Sequence, residues 1–99
     1  MNILDDLNFT TAKPAVLKLK QNESVNILTV GLIEKQLLTK HKTKWPTTLV
    51  VLQGAIIFKI EGEEINLKKF DVFDIPVNVE HEVEGQDERN VFMLTQEKR

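Results

Sequence analysis

The stretch Thr47-Thr48-Leu49-Val50-Val51-Leu52-Gln53-Gly54-Ala55-Ile56-Ile57-Phe58-Lys59-Ile60-Glu61-Gly62-Glu63 decides how this chain folds. Two runs of β-branched and apolar residues, 47–52 and 55–60, are each closed by a turn marker, Gln53-Gly54 and Glu61-Gly62. Runs this short that stop at glycine read as strands, because a helix needs apolar residues at i, i+3, i+4 and i+7 over about 11 residues or more. The same signature repeats in both directions. Upstream lie residues 16–20, 25–32 and 37–39; downstream lie 65–67, 71–75, 81–84 and 90–95. Asn22, Pro76 and Gly85 punctuate them. Only residues 3–9 and 30–38 approach helical spacing, and in the second, Gly31 and Glu34-Lys35-Gln36 fit a hairpin turn better. Nine short strands in 99 residues predict an all-β fold of two antiparallel sheets, closed or stacked because free edges would template aggregation.

Composition bounds the rest. Ninety-nine residues suit one domain, 1–99, with residues 1–12 standing apart as a loosely docked N-terminal arm. A net charge of −2 leaves no basic excess to neutralise phosphates, which argues against nucleic-acid binding. The absence of cysteine excludes disulfides, thiolate metal sites and a cysteine nucleophile. No apolar run approaches the length of about 20 residues that spans a bilayer, and the first residues lack the pattern of a secretory signal, so a cytoplasmic location away from membranes is expected. There is no Gly-rich phosphate loop, no nucleophile elbow, no His-Glu-x-x-His and no tyrosine. Any chemistry must rest on His41, His81, scattered carboxylates or a bound metal.

Those two histidines fall into a recognisable spacing. Counting back from Gly54 along Gly-x5-His-x-His-x3/4-Glu-x6-Gly puts Thr47 at the glutamate, Thr43 at the second histidine, His41 at the first and Lys35 at the first glycine. Counting along Gly-x5-Pro-x-Gly-x2-His-x3-Asn puts Phe70 at the first glycine, then Pro76, then Asn78 at the second glycine, then His81, with Gly85 at the terminal asparagine. On these residues the chain resembles the cupins over roughly 25–95. The resemblance implies a cupin-like double-stranded β-helix, a jelly-roll barrel with a pocket between its sheets. It also implies a small-molecule ligand, a homodimer, and exchange or pairing through residues 9–20.

In such barrels three imidazoles and a carboxylate hold iron, manganese, nickel, zinc or another divalent ion. By that likeness His41 and His81 are the candidate metal ligands. Thr43 and Thr47 bring neutral hydroxyls where the pattern has a histidine and a glutamate, so the motif is degenerate. The expected pocket residues are His41, Thr43, Trp45, Thr47 and His81. His41 and Thr43 are expected at one strand entry, and Trp45, the only tryptophan, walls the pocket or makes a dimer contact. Lys42 and Lys44 flank His41 and either attract an anionic ligand or, the reading preferred for residues so often exposed, are solvated loop lysines. Alternation turns Glu80, Glu82 and Glu84 outward, away from Val79, His81 and Val83. Three functions are weighed: a small-molecule-binding barrel of unassigned ligand, a metal-dependent dioxygenase or isomerase acting on a small polar metabolite, or an interaction module, which would need a separate partner chain because no helix-turn-helix is present.

Overall fold

A computed structural model describes all 99 residues. One short helix, α1 (Ile3–Asp6), precedes nine strands: β1 (Ala15–Gln21), β2 (Val25–Ile33), β3 (Leu37–His41), β4 (Thr47–Gln53), β5 (Ala55–Ile60), β6 (Glu63–Lys68), β7 (Val72–Ile75), β8 (His81–Gly85) and β9 (Arg89–Glu97). They form two antiparallel sheets, a five-stranded one in the order β1-β2-β9-β4-β7 and a four-stranded one in the order β3-β8-β5-β6. All nine expected strands are present, most with ends one or two residues beyond the apolar runs. No helix is long and apolar enough to cross a membrane.

Alternation does the sorting. In β4, β5 and β8 every second residue is buried, so one face of each strand turns to the interior. Those faces meet in a single core of Val30, Leu32, Leu49, Val51, Phe92 and Leu94 from the larger sheet against Ile56, Phe58, Ile60, Leu67 and Val83 from the smaller. The Glu61-Gly62 hairpin joins β5 to β6 with both residues at positive φ, 51° and 78°, the conformation a two-residue hairpin requires.

Four positions that the spacing assigns to glycine take left-handed backbone: Lys35 (φ 64°), Gly54 (72°), Phe70 (73°) and Asn78 (62°). All four positions therefore take the backbone conformation that favours glycine, whether or not glycine stands there. Asparagine tolerates this region, whereas lysine and phenylalanine are strained by about 1–2 kcal/mol. Glycine would relieve that strain but loosen the unfolded chain by about 0.4–1 kcal/mol. Lys35→Gly and Phe70→Gly should each raise stability by about 0.5 kcal/mol, with Asn78→Gly near zero, as read by urea unfolding.

Within residues 1–12, Ile3, Leu7 and Phe9 pack on the sheet, while Thr10, Thr11 and Ala12 are exposed. Leu7 is buried with Ala15 and Val91 on the outer face of the larger sheet, and Ile3, Phe9, Leu17 and Leu52 pack around them. Gly31 is here for close approach rather than for a turn: it lies inside β2, where a Cβ would come 2.8 Å from the Phe9 ring. The chain turns later, at Glu34 and Lys35. Strand β1, part of the segment expected to cross between subunits, pairs with β2 of its own chain.

Candidate functional site

Register brings polar side chains to one end of the barrel. Across the larger sheet, Asn26, Gln96, Thr47 and Ile75 lie opposite one another in neighbouring strands; across the smaller one, His41, His81 and Ile60 do the same. Residues directly opposed in antiparallel strands share a face. Each sheet thus closes its apolar interior with a largely polar row at the mouth.

A bulge aims His41. Leu38 opposes Val83 and His41 opposes His81, so β3 spends three steps where β8 spends two. The extra residue turns the end of the strand so that both imidazoles meet. His41 closes β3 rather than opening a strand, and Thr43 lies in the loop that follows. Their Nε2 atoms are 3.1 Å apart, with ring centroids at 4.3 Å and planes at 65°. His81 is buried and stacks on Phe58 at 5.1 Å, while His41 is exposed.

The outer ring nitrogens fix the tautomers. His41 Nδ1 lies 2.9 Å from the Thr39 carbonyl oxygen and His81 Nδ1 lies 3.1 Å from that of Val79. A carbonyl only accepts, so both Nδ1 atoms donate. Two neutral rings then face each other with bare Nε2 lone pairs, a contact that becomes attractive when a proton lies between them. Burial lowers the pKa of His81 from its ordinary 6.5, the Val79 carbonyl opposes this, and charge on His41 lowers it further. Below pH 6.5 the unfolded chain takes up a proton that His81 resists, so this part of the stability is full above pH 6.5 and lost as the pH falls through the lowered value. His81→Gln should flatten that acid-side loss in a pH series of urea midpoints.

A cleft of about 460 Å³ opens beside the pair. Trp45, Ile75 and Leu94 give it apolar walls; Thr43, Thr47, Asn78 and Gln96 give it polar ones; Lys42 and Lys44 stand on its rim. All five residues expected at the pocket line it. Gln96 was not among them, although alternation from the buried Leu94 puts it on the inward face. The Lys44 and Lys98 ammonium groups lie 4.9 and 5.5 Å from the Trp45 ring centre. A second depression, about 510 Å³, lies on the other side of His81 and is rimmed by Lys40, Lys59 and five carboxylates, Glu61, Glu63, Glu64, Glu80 and Glu82. Glu84 turns away and pairs with Lys59 at 2.8 Å.

The donor set does not fit a tightly held divalent ion. Both Thr hydroxyls are turned to the backbone: Thr47 Oγ1 donates to the Trp45 carbonyl at 2.9 Å, and Thr43 Oγ1 contacts the same carbonyl at 3.3 Å while accepting from Gln96 Nε2 at 3.3 Å. No third histidine, cysteine or carboxylate gathers with the two imidazoles. Two neutral nitrogen ligands without an anionic partner make a weak site.

No family model matches the chain, and no curated protein matches it in sequence. Solved structures do match in shape. A protein with a double-stranded β-helix domain from Klebsiella pneumoniae aligns with a TM-score of 0.88 at 13% identity, covering 98% of this chain and 87% of its own. An RmlC-like cupin from Desulfovibrio desulfuricans aligns with a TM-score of 0.84 at 20% identity, over 97% of this chain and 93% of its own. A cupin superfamily protein from Desulfitobacterium hafniense aligns with a TM-score of 0.82 at 18% identity, over 89% of this chain and 80% of its own. Strand order and these superpositions agree on the fold: this chain forms a single double-stranded β-helix, the fold of the cupin structures it resembles.

Proposed function

We propose that this chain is a small-molecule-binding barrel that takes its ligand in the cleft at the mouth, without a resident metal ion. The observation that carries this is the cleft itself, in which the His41–His81 pair of the smaller sheet meets Thr47 and Gln96 of the larger, with Thr43 and Trp45 from the loop between β3 and β4. Its volume of about 460 Å³ falls within the range of small-molecule sites, and it mixes apolar walls with a few convergent polar groups as such sites do. The degenerate donor set supports the metal-free form.

Elemental analysis of protein purified without chelator tests this. Trace metal is expected. About one equivalent of a transition metal, lost in His41→Ala or His81→Ala, would replace this function with that of a metal-dependent enzyme. The same proposal carries a homodimer, supported by the unpaired edges β1, β7, β3 and β6 and by exposed Val16 and Val72 on two of them. Sedimentation at micromolar concentration should return twice the chain mass; a species of 11.4 kDa would contradict it.

A further inference from the structure

We infer that the ligand of the mouth cleft is a small organic anion, a carboxylate carried on a flat apolar body. This rests on the mouth being a ligand site and adds the chemistry of what enters it. The chain as a whole carries a net charge of −2, yet no carboxylate lines this cleft, while Lys42 and Lys44 do. Neither lysine is neutralised: the ion pairs of the molecule are Lys59 with Glu84 and Arg99 with Glu97. A third ammonium, Lys98, is held near the Trp45 ring, its Nζ donating to the Asn22 carbonyl at 2.9 Å.

The acidic side chains near the histidine pair gather in the neighbouring depression, so His81 separates a cationic compartment from an acidic one. Inside the cationic cleft the remaining surfaces are of two kinds. Trp45, Ile75 and Leu94 offer flat apolar contact, and Asn78 and Gln96 offer amide groups. An anion with an apolar body answers both, since its charge meets the lysines and its body excludes water from the indole and the aliphatic wall. A cation would meet unpaired ammonium groups, which is repulsion without compensation.

Matched aromatic probes test the inference: benzoate, benzamide and benzylamine, titrated at low salt and followed by Trp45 fluorescence and by backbone amide shifts. Benzoate should bind at the cleft about tenfold more tightly than benzamide, with benzylamine weakest. Salt should weaken benzoate alone. Lys42→Gln combined with Lys44→Gln should remove the preference and leave benzamide unchanged; both lysines are exposed, so the variant should melt with the parent. Equal or tighter binding of benzamide or benzylamine at the cleft would overturn the anion assignment and leave the mouth as a ligand site. Failure of all three to move Trp45 or His41 would overturn both.

Discussion

Replacing Asn90 with alanine should lower the unfolding free energy by about 4 kcal/mol, a large share of the roughly 5–15 kcal/mol that a domain of this size possesses. Asn90 is fully buried, and its amide is used at every position. Oδ1 accepts from the backbone N–H of Ala55 and of Asp87, both at 3.0 Å. Nδ2 donates to the carbonyls of Leu32 at 3.0 Å and of Asp87 at 2.8 Å. One side chain thus ties β2 and the start of β5 to the turn between β8 and β9. Alanine leaves four backbone groups without these partners, and each such loss costs about 1–3 kcal/mol where water cannot enter. Asn90→Asp should also destabilise, because a carboxylate keeps the two acceptor bonds and loses both donors. A urea midpoint shift equivalent to less than about 1 kcal/mol for Asn90→Ala would show that water replaces the amide at little cost.

Gly85→Ala should cost at least about 3 kcal/mol, for steric reasons alone. A Cβ there would fall on the carbonyl oxygen of Ile33, and would lie 2.8 Å from Asn90 Nδ2 and 3.1 Å from Leu32 Cβ. The backbone has no room to retreat, because Gly85 N donates to Gln36 O at 2.9 Å and Gly85 O accepts from Lys35 N at 2.8 Å. Gly62→Ala is the matched control. Nothing lies within 4 Å of the added carbon, so only the left-handed φ of 78° opposes it, at about 1–2 kcal/mol. Similar midpoint shifts for the two variants would contradict the steric account of Gly85.

Much of this was legible because strands announce themselves locally. The 47–63 stretch fixed two strands and two turns without any long-range information. Counting from Gly54 and Pro76 then assigned glycine positions to Lys35, Phe70 and Asn78, where the backbone is left-handed. What stayed hidden depends on contacts between distant segments. Asn90 looks like the first residue of a strand, and nothing local reveals that its amide serves Leu32 and Ala55. The docking of residues 3–9 depends on a glycine at position 31 leaving space for Phe9. The bulge that turns His41 toward His81 leaves no mark in Leu37-Leu38-Thr39-Lys40-His41, since none of these residues is a turn former. Gln96 was within reach, because the inward alternation of β9 continues two residues past Leu94.

Two imidazoles face each other through Nε2 at the mouth of the barrel, above its packed core. Long-range ¹H–¹⁵N correlation spectra of the histidine rings, combined with ring-to-ring nuclear Overhauser effects, test this most directly. A protonated Nδ1 in both rings and a cross-peak between them are the expected result. A ring present only as the Nε2–H tautomer, or rings with no cross-peak between them, would contradict it.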